Sequence, residues 1–340
     1  MLTLSRKIND AWHSALAIGV CAVALQQVAM AQPFDDAPKV LSIMSWNVEW
    51  MFDNYLGDNS SDLAKEQAAP SKEYWRNKVN GVAKVIADAG PQIVALQEIE
   101  SERTLAELCS ELKGQHKLTY RFAFITGRDS ATEQDVGILF RDGLISYRRQ
   151  EQTNAMFNSR DYYNLSKHLF GEFQWKQPSS KLTVLTLHLR ARAEAEDLRV
   201  KQAKLARRWI EPQLHNGEDV IVLGDFNCEH LAGTLEGDAA EMVGAAGKPQ
   251  MVDLLTHLED PTMQTHLVLD KQFDRVFVSP SLMEDGPGQD WCFERIEVLV
   301  QPIVRGHRDG QEHWDNRLTM PVAELDLSDH FPILAQFRLR

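Results

Sequence analysis

Nine polar residues scattered over this chain share one habit: each stands at or next to one end of an apolar run that reads as a strand. They are Asn47, Glu49, Glu98, His188, Asp225, Asn227, Asp274, Asp329 and His330. Loops at strand ends are where α/β sheets gather side chains into a site, so the nine are candidates to converge. Several carboxylates in one partly desolvated pocket repel one another at a cost of several kcal/mol unless a cation compensates. Oxygen donors from Asp, Glu and Asn, with few imidazoles and no thiolates beside them, suit Mg²⁺ best, with Mn²⁺ or Ca²⁺ as possible substitutes, and suit zinc poorly. Such an ion points to phosphate chemistry. Two histidines among the acids fit the remaining tasks, holding phosphoryl oxygens and moving a proton.

The elements that must carry these residues can be read from apolar patterning. The clearest is Asp219 to Cys228, DVIVLGDFNC, a short β-branched run that stops at Gly224 and presents Asp225 and Asn227 on a turn. Gly-Asp-Phe-Asn is also a good turn sequence in its own right, so its weight comes from the other strand ends. Val40 to Trp46 is a strand buried on both faces that delivers Asn47 and Glu49, and Gln92 to Gln97 delivers Glu98. Lys181 to Leu189 carries His188, Phe273 to Val278 carries Asp274, and Asp329-His330 precedes a closing strand at Phe331 to Leu334.

Further strands are expected at Leu118 to Ile125, Val136 to Phe140, Leu144 to Tyr147, Phe293 to Val300 and, less clearly patterned, Tyr162 to Trp175. The Arg141-Asp142-Gly143 turn predicts a hairpin between the runs on either side of it. Ser71 caps a helix whose Trp75, Val79, Val82 and Ile86 form one apolar stripe, ended by Gly90-Pro91. A second helix is expected near Thr104 to Leu112. A third, Ala193 to His215, turns Leu198, Leu205 and Trp209 inward and keeps its Arg and Lys residues solvated. Asp53 to Pro70 and Leu231 to Lys248 read as loops, Val252 to Leu258 as a short helix, and Gln301 to Leu327 as an irregular wall beside the site. Strands outnumber helices and the helices fall between them, which predicts two sheets packed face to face with helices outside.

Composition sets the boundaries. The chain has 340 residues, 44% of them hydrophobic, and a formal charge of -13. That charge argues against a broad cationic groove for nucleic acid, though not against an enzyme touching a few phosphates with help from a metal. Arg6 and Lys7, the apolar run Ala15 to Leu25 and the small residues of Ala29-Met30-Ala31 make a secretory signal peptide over residues 1–31, too short to span a membrane. The mature protein is then expected to be a single domain over 32–340, secreted or periplasmic. It keeps Cys109, Cys228 and Cys292, an odd number that allows at most one disulfide. No protein partner is implied, and a monomer is expected.

Six segments in this order resemble the motifs of the endonuclease/exonuclease/phosphatase superfamily, which includes deoxyribonuclease I and neutral sphingomyelinases. They are Ser45 to Glu49, Leu96 to Glu98, Leu187 to Leu189, Gly224 to Asn227, Phe273 to Ser279 and Ser328 to Ile333. The resemblance implies a four-layer α/β sandwich, two packed and mostly antiparallel sheets flanked by helices, with the site at one end of both sheets. It implies a metal-dependent phosphoric ester hydrolase, most simply a nuclease using Mg²⁺ on DNA or RNA, with a lipid or small-molecule phosphodiesterase as the alternative and an inactive binding protein as the remote one.

Carried over residue by residue, the resemblance makes Glu98 the principal metal ligand, with Asn47 beside it and Glu49 or Asp329 contributing. Asp225 would orient or deprotonate the attacking water, helped by Asn227. Asp274 would fix the tautomer of His330 at the scissile phosphate, and His188 would be a phosphate ligand or proton donor. One departure stands out: some members carry a tyrosine just ahead of the Val136 strand, where this chain has Glu133, Gln134 and Asp135. Lys167, Arg160 or Arg190 could supply the missing phosphate contact. His257, His307 and His313 match no motif and are left outside the site.

Overall fold

In the computed structural model the described residues are 27–29, 34–246, 250–285 and 290–340. Most of the expected signal peptide, including Ala15 to Leu25 and the Ala31 to Gln32 junction, lies outside the described residues. In chain order the elements begin with β1 (Gln27–Ala29), β2 (Phe34–Asp36), β3 (Val40–Met51), α1 (Asp62–Gln67), α2 (Lys72–Ala89), β4 (Ile93–Ile99) and α3 (Glu102–His116). There follow β5 (Arg121–Phe124), β6 (Asp135–Phe140), β7 (Leu144–Arg148), α4 (Asn154–Ser159), β8 (His168–Gln177), β9 (Ser179–His188) and α5 (Glu196–His215). The chain closes with β10 (Asp219–Asp225), α6 (Gly237–Val243), β11 (Val252–Asp253), β12 (Asp274–Val278), β13 (Trp291–Val298), α7 (Glu312–Asn316) and β14 (Ile333–Leu339).

One sheet runs β1-β7-β8-β9-β10-β12-β11 with β2 beside β8; the other runs β13-β14-β3-β4-β6-β5. Pairing is parallel only for β2 with β8, β3 with β4, and β9 with β10 among the described strands. Alternation along the central strands produces the layers. On β3, Leu41 and Ile43 face the other sheet, packing in one core with Val184 and Ile221, whereas Met44, Trp46 and Val48 face the helices with Trp75, Val79 and Val82 of α2. On β10, Ile221 and Leu223 point between the sheets while Val220 and Val222 meet Leu205, Trp209 and Ile210 of α5. Both faces of both sheets are therefore covered, which is why these strands read as continuous apolar runs. The result is the four-layer α/β sandwich expected.

The helix that covers β3 ends as its sequence predicts: the Ser71 Oγ accepts from Tyr74 N at 3.1 Å, and Gly90 closes the other end at a φ of 61°. Elsewhere the structure differs from expectation. Arg141-Asp142-Gly143 does not make a hairpin, because β6 belongs to one sheet and β7 to the other. The turn carries the chain across the sandwich, and Trp175 fixes it by donating from Nε1 to Asp142 Oδ1 at 3.0 Å. The expected loops contain α1 and α6, and Val252 to Leu258 is a two-residue strand and a 3-10 turn. On α5 the side chain fully buried beside Leu198 is Arg199, whose guanidinium donates to the Arg190 and Arg192 carbonyls. That arginine therefore closes the β9 to α5 connection instead of facing water.

All three cysteines outside residues 1–31 are free thiols. Among the described residues, no helix is long and apolar enough to cross a membrane.

Candidate active site

The ends of β3, β4, β9, β10 and β12 meet at one edge of the sandwich, and the backbone there is held in unusual conformations. Glu49, Trp50, Glu98 and Asn227 all have positive φ, between 42° and 64°. Such conformations cost about 1–3 kcal/mol each for residues other than glycine and persist where surrounding contacts demand them. Pairing of β3 with β4 slips between Asn47 and Met51, and it is there that Glu49 and Glu98 turn into the site. Gly224 sits at a φ of 144°, and a Cβ there would overlap the Leu187 carbonyl oxygen. Gly224→Ala is therefore expected to destabilise the fold by about 3 kcal/mol, measured by urea unfolding, with most of the damage at the His188 and Asp225 strand ends.

Register then brings the catalytic candidates together. Parallel pairing sets His188 beside Asp225, and antiparallel pairing sets Asp274 on the other side of it. His188 Nε2 lies 3.4 Å from Asp225 Oδ2, and His330 Nε2 lies 3.7 Å from the same oxygen. Asn47 Nδ2 bridges two acids, donating to Asp225 Oδ2 at 3.0 Å and Glu98 Oε1 at 3.1 Å. Asn227 N donates to Asp225 Oδ1 at 2.8 Å, so both oxygens of this buried carboxylate are held in place. Asp274 Oδ2 lies 2.8 Å from His330 Nδ1. Ser328 Oγ donates to the Asn47 carbonyl at 2.8 Å and accepts from His330 N at 3.1 Å, tying the His330 loop to β3.

The two histidines are electrostatically opposite. Burial, helped by the charges of Lys167 and His330, pushes His188 down to about 3, so its ring is neutral. Its Nδ1 is buried and has no partner. Burial also acts against charge on His330, but Asp274, Asp225 and Asp329 together outweigh it and hold the ring cationic well above the usual histidine range. A neutral and a cationic imidazole flanking one carboxylate is the kind of separation that assigns different roles to like groups.

Glu98 and Asp329 form the acidic part of the site. Glu98 Oε2 accepts from Trp50 N at 2.8 Å, and burial together with the charge of Asp329 pushes Glu98 up to about 7. Asp329 is raised in turn, by burial and the charge of Glu49. Glu98 is raised by Asp329 and Asp329 by Glu49, so these buried carboxylates leave negative charge for a cation to settle, and their oxygen donors suit a hard divalent ion. Asp329 and His330 also group with His266, and Asp225 and Asp274 with His330, at metal-ligand spacing.

Glu49 is placed differently from the expectation that it helps hold the metal. Its Oε2 lies 2.8 Å from His313 Nε2 and its Oε1 3.3 Å from Arg317 Nε, so both oxygens are already engaged by cations. Burial would raise this carboxyl, but the charges of His313 and Arg317 win and hold it well below the usual carboxylate range. His313 itself is pushed up to about 9: burial opposes its charge, and Glu49 and Asp309 prevail. Because its folded pKa lies above the ordinary histidine value of 6.5, this pair contributes fully below about pH 6.5 and is lost as pH rises through about 9. At about 1.4 kcal/mol per unit the effect is about 3 kcal/mol, shared between the partners. Urea unfolding is therefore expected to show stability falling between about pH 6.5 and 10, with the fall absent in His313→Ala, itself destabilised by about 3 kcal/mol.

Lys167 is buried near the site but spoken for, donating to Gln134 Oε1 at 2.8 Å and pairing with Asp129 at 3.0 Å. Its charge still acts on Glu98 and His188. Arg190 is exposed, and only its backbone is fixed, by Gln202 and Arg199. Arg160 is exposed at the C-terminal end of α4.

Three residues were missed. His313 anchors Glu49; Trp314 beside it donates from Nε1 to Asp329 Oδ2 at 2.8 Å; and the ring of His266 packs edge-on at 4.8 Å from His330. All three come from irregular or short segments, where no period marks a buried face.

A two-sheet sandwich whose strand ends gather paired acids and two opposed histidines defines a phosphoester hydrolase. The chain belongs to the Endonuclease/Exonuclease/phosphatase family, which it matches over residues 44–330. Its fold is similar to the human Nocturnin catalytic domain with bound sulfate anion, at 14% identity and a TM-score of 0.55, covering 93% of this chain and 97% of that one. It is also similar to D. rerio TDP2 complexed with single strand DNA product, at 16% identity and a TM-score of 0.51, covering 88% of this chain and 100% of that one. An endonuclease/exonuclease/phosphatase from Bacteroides vulgatus gives 16% and 0.54, covering 89% and 100%. No curated protein matches the chain by sequence.

Proposed function

We propose that this chain is a secreted, divalent-metal-dependent phosphodiesterase that hydrolyses DNA or RNA by water attack on phosphorus. The observation that carries the reading is Asp225 held between a neutral His188 and a cationic His330, with Asp274 fixing the latter at 2.8 Å. Asp225, oriented by Asn47 and Asn227, accepts the proton of the attacking water. His330, kept charged and in one tautomer by Asp274, faces the phosphoryl oxygens and stabilises the charge that grows on them. His188 is neutral, which favours a hydrogen bond to phosphate over delivery of a proton. Glu98 and Asp329, with Asn47 beside them, would hold a divalent ion, which when bound would supply further charge neutralisation at phosphorus. Mg²⁺ is the ion of choice for that oxygen-rich set.

Support for a nucleic acid comes from the likeness to a TDP2 complexed with single strand DNA product, and support for secretion from the leader-like residues 1–31. The overall acidity of the chain is compatible with an enzyme that contacts few phosphates. The test uses the chain from Gln32 with supercoiled DNA and structured RNA under Mg²⁺, Mn²⁺ and EDTA. Metal-dependent cutting supports the proposal. Intact nucleic acid together with phosphocholine release from sphingomyelin would move the substrate to lipids.

A further inference from the structure

The wall segment carries a second group of donors that hydrolysis does not use. His307, Asp309 and Glu312 each offer one ligand atom, and the three atoms lie within 4.8 Å of one another. His307 Nε2 is 3.8 Å from Glu312 Oε1, on the exposed side. Asp309 is only 2% exposed. Its Oδ2 is fully occupied, accepting from Asp326 N at 2.9 Å and lying 3.1 Å from His313 Nδ1, while its Oδ1 is buried with no partner at all. A buried carboxylate oxygen without a donor is costly and calls for an unseen partner.

The backbone around these donors is fixed. Asp309 N donates to Asp326 Oδ2 at 2.8 Å, and Glu312 Oε1 accepts from Gly310 N at 2.9 Å, which folds that side chain back toward Asp309. The neighbouring cation is turned away: the Arg308 guanidinium donates to the His266 carbonyl at 3.0 Å and to that of Leu267.

We propose that His307, Asp309 and Glu312 form a second divalent-cation site, built from none of the residues assigned to hydrolysis. One imidazole and two carboxylates select a borderline ion of the Zn²⁺ kind over Mg²⁺ or Ca²⁺, and three protein ligands leave room for water. The site is joined to the active centre, because the second oxygen of Asp309 holds His313 and His313 holds Glu49. An ion bound there braces the wall against β3.

The test is calorimetric titration of Zn²⁺ into the chain from Gln32 in a large excess of Mg²⁺, which competes for the oxygen-rich active centre. The wild type is compared with His307→Ala and Glu312→Gln, both exposed positions whose variants retain the fold, checked by circular dichroism. His230→Ala is the control, because His230 also lies between two carboxylates, Glu196 at 3.1 Å and Glu236 at 3.3 Å. The wild type is expected to bind one Zn²⁺ that Mg²⁺ does not displace, with affinity about tenfold or more weaker in both wall variants and unchanged in the control. The proposal is overturned if the wild type binds no Zn²⁺ under these conditions, if both wall variants bind as the wild type does, or if the loss occurs in His230→Ala instead.

Discussion

His330→Gln is expected to lower phosphodiester hydrolysis by about a thousandfold while leaving the fold intact. The ring does two things that glutamine cannot. It carries a positive charge, which Asp274, Asp225 and Asp329 sustain against the effect of burial. It also presents that charge from a fixed position, because Nδ1 is taken by Asp274 and the backbone on either side is held through Ser328 and Trp46. Glutamine keeps a hydrogen-bonding group of similar reach but is neutral, so the loss falls on the transition state, where charge on the phosphoryl oxygens is greatest. The loss should therefore appear in kcat with little change in KM for a small diester substrate. A drop confined to KM would mean that His330 only binds substrate.

Asp225→Asn is the second large effect, an expected loss of about a hundredfold to a thousandfold. Asn occupies the same volume and can still accept from Asn227 N, so the turn after β10 should persist. What disappears is the proton acceptor and the anion shared by His188 and His330. Because Asp225 helps keep His330 charged, the substitution also lowers the pKa of that ring. Activity left in Asp225→Asn should then decline at a lower pH on the alkaline side than in the wild type. The two substitutions remove parts of one unit, so the double variant should lose little more than the worse single one. Losses that simply multiply would show that the two residues act independently.

Much of this site is legible in the sequence. Strand ends could be found because buried strands are continuous apolar runs, and the polar residue that stops each run is conspicuous. That logic located Asn47, Glu98, His188 and Asp225, with Asp274 at the start of its own run, and β-pairing brings them within reach of one another. It could not show that the Glu49 carboxylate is paired with protein cations. Glu49 lies 264 positions from His313, and nothing local to either residue announces the other. The Arg141-Asp142-Gly143 turn failed for a related reason: a tight Asp-Gly turn is equally good as a hairpin or as a corner between sheets, and only Trp175, 33 positions from Asp142, decides. Arg199 was misjudged because a charged residue on a helix normally faces water, whereas this one has buried carbonyls to cap and lies 3.7 Å from Asp238.

The most direct test of the account is hydrolysis of bis(p-nitrophenyl) phosphate in ¹⁸O-labelled water, with Mg²⁺ and with EDTA, by the wild type and His330→Gln. Water attack on phosphorus places the label in the p-nitrophenyl phosphate product, requires the metal, and is nearly lost in the variant. Label in the released phenol, hydrolysis that survives EDTA, or an undiminished His330→Gln would contradict it.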